Sequence, residues 1–201
     1  MFIRGTILEV KPDRIADIVS EMEASVIPAL RQQPGYRGTV IVKFDDGGAR
    51  VNTFWSDEKT LQASEPAVTG LRQQVAARAG ATVERVEIME VYLREPDGVP
   101  EAGTCTRAAV IQNTDDDVQS GIDAFTADIL PQLRLQDGFS MAMLAGDRAK
   151  KIAVSVAGWR DRAAREAADA ALAKARHEVV SKLGSSVVRV QLGEVIYSSK
   201  A

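Results

Sequence analysis

Few residues of this chain could carry out chemistry. Its 201 residues include one histidine, His177, and one cysteine, Cys105. A single cysteine excludes an internal disulfide, and a single histidine excludes a metal site built from several histidines. The sequence has no glycine-rich phosphate loop, no Ser-His-Asp set and no carboxylate pair at an informative spacing. We therefore predict neither a metal nor a cofactor, and the catalytic residues remain unknown from motifs alone.

Neither of the two single residues stands in a reactive setting. His177 lies among Lys174, Arg176 and Glu178, a pattern typical of a solvated or capping side chain, with proton transfer as the alternative. Cys105 begins a predicted strand and has no sequence neighbour that would activate it as a nucleophile. We expect it to be an inert small residue.

The two tryptophans belong to an internal repeat. Residues 27–36 recur as residues 130–139, with five of ten positions identical, and residues 80–93 recur as 184–197. Between these segments, Trp55-Ser56-Asp57 is matched by Trp159-Arg160-Asp161. Collinear similarity of this kind predicts two copies of one structural unit.

Composition and charge limit the class of protein. Hydrophobic residues make up 45% and charged residues 26%, which is ordinary for a globular protein, and the net charge of −3 gives no sign of nucleic-acid binding. The sequence contains no apolar run of bilayer length and does not begin with a signal-peptide pattern. We expect a cytoplasmic protein without a membrane partner.

Hydrophobic periodicity predicts the same order of elements in both copies. The strands are expected at residues 2–10, 39–44, 50–55 and 83–93, and at residues 104–112, 140–145, 151–158 and 187–197. The helices are expected at residues 15–30 and 63–79, and at residues 115–133 and 161–183. Gly146-Asp147 is predicted as the turn of the second hairpin, and Ser56 or Asp57 as a helix cap.

This order is the split βαβ, or ferredoxin-like, arrangement in each half. The fold class is therefore α+β, with two ferredoxin-like βαββαβ repeats at residues 1–94 and 104–201. A linker rich in proline and glycine, residues 95–103, separates them. Helices would cover only one face of each four-stranded sheet, so we expect the second copy to cover the other.

The repeated segments also carry a family resemblance. Pro28-x-Leu30 followed by Pro34-Gly35-Tyr36, its second copy Pro131-x-Leu133 with Gly138-Phe139, and the tryptophan closing each third strand resemble the dimeric α+β barrel superfamily. Specifically, the chain resembles antibiotic biosynthesis monooxygenase-type domains in tandem, over nearly its whole length outside the linker. The resemblance implies an intrachain dimeric α+β barrel, that is, a pseudo-dimer that could assemble further into a homo-oligomer.

The superfamily contains cofactor-free oxygenases, heme-degrading enzymes, isomerases and domains without known activity. Its heme-degrading branch has an asparagine on the first strand, where this chain has Gly5-Thr6 and Ala108-Ala109. That branch also has a histidine on the second helix, which residues 58–65 and 162–169 lack. Heme degradation is therefore disfavoured. The resemblance implies a cofactor-independent monooxygenase acting on a small electron-rich aromatic such as a quinol or an anthrone. The alternative is a non-catalytic small-molecule-binding or stress-associated domain.

Strand alternation indicates where such a ligand would bind. The resemblance implies a pocket between sheet and helices, with each tryptophan either a wall of it or a core anchor. The second copy places smaller side chains on this face than the first, which predicts the roomier site in the second half. The alternative is that Met141, Met143 or the helix from Asp161 fills the space. The predicted pocket residues are Ser140, Ala142, Ser155, Ala157 and Trp159, with Thr53 and Trp55 in the first half. Arg4 and Arg107 recur at equivalent positions, which favours a structural salt bridge or an interface role over a site used only once.

Overall fold

The computed structural model describes residues 1–114 and 117–201. Its β-strands alternate with helices in the order that the periodicity predicts. The strands are β1 (Phe2–Glu9), β2 (Tyr36–Phe44), β3 (Ala49–Trp55), β4 (Thr82–Glu95), β5 (Cys105–Gln112), β6 (Phe139–Asp147), β7 (Ile152–Trp159) and β8 (Ser186–Lys200).

The helices fall between these strands in each half. They are α1 (Ile15–Glu21), α2 (Ile27–Arg31), α3 (Glu58–Ala63), α4 (Glu65–Arg78), α5 (Val118–Ala124), α6 (Leu130–Arg134) and α7 (Arg162–Lys182). The helix predicted at 115–133 begins at Val118, directly after its N-cap Asp117. Asp115 and Asp116 lie outside the described residues. Among the described residues, no helix is long and apolar enough to cross a membrane.

The strands hydrogen-bond in the order β1-β3-β2-β8-β5-β7-β6-β4, which closes a barrel. The chain is thus a mixed α+β protein. It divides into two compact units, the first formed by Met1–Glu90 with Glu194–Ala201 and the second by Val91–Gly193. Strands β1, β2 and β3 pair antiparallel in the first unit, as β5, β6 and β7 do in the second.

The strand registers are the same in the two units. Thr6 on β1 lies opposite Val51 on β3, and Ala109 on β5 lies opposite Ser155 on β7. Because side chains alternate along a strand, the odd-numbered residues around Ala109 and Ser155 share one face. The helices of the unit pack on that face.

Each unit has its own hydrophobic core. In the first unit the core gathers around Trp55, Ile18 and Leu61, all of which are fully buried. In the second unit it gathers around Trp159, Leu133 and Leu172. Both tryptophans are therefore core anchors, as one of the two interpretations of the sequence expected.

A π-helical turn interrupts the first helical segment of each unit. The turns span Met22–Val26 and Phe125–Ile129, and each ends two residues before a proline, Pro28 or Pro131. A proline clashes with the carbonyl four residues earlier in a regular helix, and the extra residue of a π turn moves that carbonyl away. The sequence predicted one bent helix at 15–30, whereas the chain forms α1, this turn and α2 in succession.

The second hairpin differs from the prediction. Gly146 and Asp147 do not form the turn; they end β6, where they pair with Ala153 and Ile152. The turn follows at residues 148–151, and Asp147 accepts a hydrogen bond from the backbone N–H of Lys150. Asp147 therefore closes the turn with its side chain from the strand, and the turn does not need a glycine to begin.

Aspartates begin the helices that follow each tryptophan. Asp57 accepts a hydrogen bond from the N–H of Thr60 at 2.8 Å, and Asp161 accepts one from Ala164 at 2.8 Å. An N-cap of this kind satisfies one of the open N–H groups of the first turn. The prediction of Ser56 or Asp57 as the cap is confirmed for Asp57. The helix predicted at 63–79 begins earlier, as α3, and continues as α4 after a break at Ser64.

Candidate ligand-binding cavity

A cavity of about 280 Å³ lies inside the second unit. It is bounded by the helix-facing side of β5 and β7 and by α5, the second π turn and α7. Most of its walls are apolar. The apolar lining consists of Ala109, Ile111, Val118, Phe125, Ile129, Leu144, Ile152, Ala153, Val179, Val180, Leu183 and Val187.

The polar lining of this cavity is mainly basic. Hydroxyl and amide groups come from residues such as Ser155 and Asn113. The charged lining residues are the basic Arg107, Arg148, Lys151, Arg176 and Lys182 and the acidic Asp117 and Asp147. Apolar walls with a few converging polar groups are typical of a small-molecule site.

Two of the basic residues share one carboxylate. The Nε of Arg107 on β5 lies 2.6 Å from Oδ1 of Asp169 on α7, and Nη1 of Arg176 lies 2.5 Å from the same oxygen. Both guanidinium side chains are largely buried, at 14% and 16% exposure. Burial, followed by the charge of Arg107, lowers the pKa of Arg176, while Asp169 acts in the opposite direction. The site therefore holds more positive charge than Asp169 balances.

The two carboxylates in the lining are stabilised as anions. Hydrogen bonds from the Ser120 side chain and backbone lower the pKa of Asp117. A hydrogen bond from the Lys150 side chain is the main cause that lowers the pKa of Asp147. A carboxylate with a lowered pKa is a weak proton acceptor, so neither residue is well suited to act as a general base.

The first unit contains the same cluster of charges. Arg4 on β1 and Arg72 on α4 both contact Glu65, at 2.7 Å to Oε2 and 2.9 Å to Oε1. Arg4 also donates to Ser64 Oγ and Leu61 O, and its guanidinium lies 5.5 Å from the ring centre of Trp55. Ion pairs of Arg4 and Arg107 are present in both units, with Glu65 and Asp169 respectively.

The equivalent cavity of the first unit is much smaller, about 40 Å³. Its lining includes Arg4, Thr6, Val51 and Arg72. These positions match Arg107, Ala109, Ser155 and Arg176 of the large cavity in the internal repeat. The two cavities therefore occupy the same place in their units, and the larger one lies in the second half.

One position accounts for much of the difference in volume. Ile18 on α1 is fully buried, whereas the equivalent residue on α5 is Gly121, which lines the large cavity. A Cβ atom placed on Gly121 would meet no atom within 4 Å. The second unit thus lacks an isoleucine side chain where the first unit packs one into its core.

The structure brings together only part of the predicted pocket. Ser155 lines the large cavity and Thr53 the small one. Trp159, Ala157 and Ala142 belong to the buried core of the second unit, and Trp55 to that of the first. Ser140 is half-buried on β6. The large cavity extends from Arg107 and Ser155 toward the Asn113 end of the sheet face, away from Trp159.

The tryptophans differ in their hydrogen bonds. Trp55 donates from Nε1 to Thr53 Oγ1 at 3.0 Å. In the second unit Ala157 occupies the position of Thr53, and the Nε1 of Trp159 has no hydrogen-bond partner among the described residues. The buried N–H of Trp159 therefore remains unsatisfied at a cost in stability.

Several important residues escaped sequence reasoning. Arg176, Asp169 and Gly121 were not singled out, although the displacement of 104 residues matches Arg72 with Arg176 and Glu65 with Asp169. Applying the repeat to charged residues within the helices would have found the cluster. His177 is exposed on α7 and Cys105 is buried on β5, and neither lines the cavity. The described residues contain no group of three side chains able to hold a metal ion.

Comparison with known proteins places this geometry in a structural context. No family profile matches the chain. An uncharacterised protein of Mycobacterium tuberculosis (strain CDC 1551 / Oshkosh) is 29% identical over 158 residues, covering 78% of this chain and 70% of that protein.

Solved structures share the fold over nearly the whole chain. An anthrone oxidase-like protein superposes with a TM-score of 0.70 at 17% identity, covering 100% of this chain and 92% of its own. A candidate monooxygenase from Fusobacterium nucleatum gives a TM-score of 0.68 at 10% identity, covering 99% and 94%. The chain therefore has a monooxygenase-like α+β barrel fold.

Proposed function

We propose that this protein is a cofactor-independent monooxygenase that oxidises a small electron-rich aromatic, such as an anthrone or a quinol, in the cavity of the second unit. The observation that carries the proposal is the cavity itself. It joins apolar walls to two buried guanidinium groups on a fold shared with an anthrone oxidase-like protein.

The apolar walls would hold the rings of the substrate. Phe125 and Ile129 on the π turn face Ala109 and Ser155 on the sheet across the cavity. Such walls exclude water from the faces of the rings and orient a flat molecule, and both effects favour reaction of a bound carbanion with dioxygen. The hydroxyl of Ser155 is placed to accept or donate one hydrogen bond to a ring oxygen.

The guanidinium groups would stabilise the negative charge that forms. In an anthrone, loss of a proton from the ring CH₂ gives an enolate whose charge rests on the ketone oxygen. Arg107 and Arg176, fixed beforehand by Asp169, would lower the energy of that enolate, as preorganised donors do in other enzymes. The proton leaves to water, because the carboxylates of the lining are weak bases.

The reaction balances without an external reductant. The enolate carbon transfers one electron to dioxygen, and the resulting radicals combine to form a C–O bond. The O–O bond of the peroxide then breaks, the remaining hydrogen of that carbon is lost, and the second oxygen leaves as water. One anthrone and one dioxygen thus give one anthraquinone and one water, and the substrate supplies all the electrons.

We also propose that residues 1–94 and 104–201 are tandem ferredoxin-like repeats of the antibiotic biosynthesis monooxygenase type, joined by residues 95–103. Three equivalences support this organisation: the strand order β4-β1-β3-β2 against β8-β5-β7-β6, the two π turns, and the two Arg–acid–Arg clusters. In this view the first repeat keeps the cluster for its structure and the second uses it for a ligand.

A second candidate function is ligand binding without turnover. The cavity lining contains no histidine, and its two carboxylates have lowered pKa values, so no side chain there is an efficient proton acceptor. A domain that stores or senses an aromatic compound would need the same apolar walls and the same guanidinium groups but no base.

Oxygen uptake separates the two functions. Metal-free protein is mixed with anthrone in an oxygen electrode, and the background oxidation is measured with heat-denatured protein. We expect one dioxygen consumed per anthraquinone formed, at a rate proportional to protein. Gly121→Ile, which fills the cavity, should abolish the catalysed rate. Gly70→Ile places the same change at an exposed helical position of the first unit with nothing within 4 Å, and should leave the rate unchanged.

Two results would contradict the oxygenase proposal. One is an uptake rate no higher than that of denatured protein across anthrones and quinols. The other is a catalysed rate that Gly121→Ile leaves intact, because the reaction would then take place elsewhere. Binding of anthrone with no uptake would favour the binding function.

A further inference from the structure

We infer that the natural ligand of the second unit is an aromatic acid, whose acidic group is held between Arg107 and Arg176 while its rings occupy the apolar cavity. The inference rests on the proposed site, but not on turnover, because a binding domain would show the same preference. In an oxygenase substrate the acidic group would lie next to the ketone oxygen, so that both oxygen-bearing groups share Arg107 and Arg176. It predicts a charge on the ligand that oxidation of a neutral anthrone or quinol does not require.

The charged residues of the cavity favour an anionic ligand. Five basic side chains and two acidic ones line the cavity. The two acidic ones are engaged at its edge: Asp147 pairs with Lys150 Nζ at 2.7 Å, and Asp117 accepts a hydrogen bond from the N–H of Ser120. An anion entering the cavity therefore meets a positive surface, and low-dielectric walls strengthen that attraction.

The contacts of Asp169 leave one buried donor unused. Arg107 and Arg176 both contact the same atom, Oδ1. Although the Nε of Arg107 lies 2.6 Å from that oxygen, its N–H does not point at it and makes no hydrogen bond, and the atom is buried. A guanidinium group binds a carboxylate best through two parallel N–H groups. Arg107 thus keeps a buried donor that a second carboxylate could satisfy.

The first unit holds its guanidinium groups with more protein contacts, although the Nε of Arg4 is also buried without a hydrogen bond. There Glu65 uses one oxygen for Arg4 and the other for Arg72. Arg4 is almost fully buried, at 3% exposure, and donates further hydrogen bonds to Ser64 and to the carbonyl of Leu61. The second unit has alanine, Ala168, in place of Ser64, and a shorter aspartate in place of Glu65. The protein partners of the cluster in the first unit are therefore reduced in the second.

The pKa of Arg176 agrees with this interpretation. Its pKa is lowered chiefly by burial and by the neighbouring positive charge of Arg107. A bound carboxylate would offset both causes. The apolar remainder of the lining argues against a small inorganic anion, because a hydrated ion gains nothing from contact with Phe125, Ile129 and Val179.

The experiment compares an acid with a neutral molecule of nearly the same shape. Binding of 2-naphthoate, 2-naphthamide and inorganic phosphate to the whole protein is measured by isothermal titration calorimetry. We expect the acid to bind at least about tenfold more tightly than the amide, since one charge-assisted contact is worth about that factor. In Arg176→Met this preference should disappear, with the affinity for the amide changed by less than about threefold.

Matched controls separate recognition from folding. Arg72→Met removes the equivalent guanidinium of the first unit and should leave the tenfold preference intact. Gly121→Ile should abolish binding of both naphthalene ligands, and circular dichroism verifies that each variant folds. If Arg176→Met fails to fold, Arg176→Lys replaces it and should reduce the preference by weakening two-point contact with the acid.

Three results would overturn the inference. The amide could bind as tightly as the acid to the wild type. Arg72→Met could remove the preference where Arg176→Met does not. Phosphate could match the affinity of naphthoate, which would point to an inorganic-anion site. If the wild-type protein prefers the acid over the amide but shows no catalysed oxygen uptake, only the oxygenase proposal is overturned.

Discussion

The two units place the same charged cluster next to different amounts of space. In the first, the cluster of Arg4, Glu65 and Arg72 adjoins a void of about 40 Å³. In the second, Arg107 and Arg176, which share Asp169, line a cavity of about 280 Å³. Protein interiors normally pack to the density of organic crystals, and the first unit follows that rule. The second departs from it beside its most highly charged residues.

Under the proposed function, the first unit uses the cluster for stability and the second uses it for a ligand. The cluster alone is structural, because the first unit has it and buries it. What changes in the second unit is a small set of side chains around it, above all Gly121 in place of Ile18 and Ser155 in place of Val51. Loss of packed side chains costs stability, and proteins retain such losses mainly where a ligand is bound.

The largest effect on stability is expected from exchanging the equivalent residues Ile18 and Gly121. Ile18→Gly should lower the free energy of unfolding by about 3–6 kcal/mol, from a cavity in the core and from glycine within a helix. Gly121→Ile should raise it by about 1–2 kcal/mol, because the new side chain is buried in existing space. Urea denaturation measures both, and Gly121→Ala isolates the part due to helix propensity. Equal destabilisation by the two exchanges would mean that the cavity cannot accept a side chain.

The next largest effect on stability is expected from replacing the carboxylates of the two clusters, Glu65 and Asp169. Glu65→Gln leaves the buried Arg4 without its counter-ion, and we expect a loss of about 2–4 kcal/mol, moderated by the remaining bonds of Arg4 to Ser64 and Leu61. Asp169→Asn should cost about 1 kcal/mol or less, since Arg107 and Arg176 border the cavity. Thermal and urea unfolding of the two variants test this order. A larger loss for Asp169→Asn would show that the second cluster is the main structural one.

A smaller effect is expected beside the tryptophans. Thr53→Ala removes the acceptor of the Trp55 N–H and should cost about 1–2 kcal/mol. The opposite change, Ala157→Thr, offers the Trp159 N–H an acceptor and should stabilise the protein by about 1 kcal/mol. Urea unfolding gives the free energies, and the indole N–H resonances in proton NMR show whether the bond forms. If the Trp159 indole N–H resonance of Ala157→Thr shows no downfield shift, the proposed hydrogen bond to the new threonine does not form.

The smallest expected effect is the pH dependence of the stability that Glu65 contributes. Burial acts to raise the pKa of Glu65, but hydrogen bonds from Thr69 and Arg72 and the charges of Arg4 and Arg72 outweigh it, and the pKa is lowered. A carboxyl with a lowered folded-state pKa stabilises the protein above its unfolded pKa, near about 4.3, and the contribution is lost as pH falls through the lowered value. The stability gap between wild type and Glu65→Gln should therefore narrow below about pH 4. A gap that widens on acidification would contradict the assignment.

Much of the fold could be predicted from the sequence because its signals are local. Alternation of apolar residues located the strands, and Asp57 could be recognised as a helix cap from its position after Trp55. The π turns could not be predicted, because a proline such as Pro28 shows that a helix is perturbed but not how the chain adapts. Gly146 suggested a turn, yet nothing local shows that Asp147 supplies the closing contact from the strand.

The candidate site was less predictable than the fold. The sequence predicted pocket residues around Trp159; of the second-half residues it named, Ser155 lines the cavity, whereas Trp159 is buried in the core. The position of a cavity depends on which side chains meet across the helix–sheet boundary. Gly121 contributes to the cavity because it has no side chain to fill the space. Arg176 and Asp169 lie on a helix rich in charge, where pattern alone does not separate buried groups from exposed ones.

The most direct test of the account is a crystal structure of the protein with 2-naphthoate. The account predicts one molecule per chain in the cavity of the second unit, with its rings between Ser155 and Phe125 and its carboxylate within hydrogen-bond distance of Arg107 and Arg176. Electron density for the ligand in the first unit alone, or outside both cavities, would contradict the claim that the second unit carries the site.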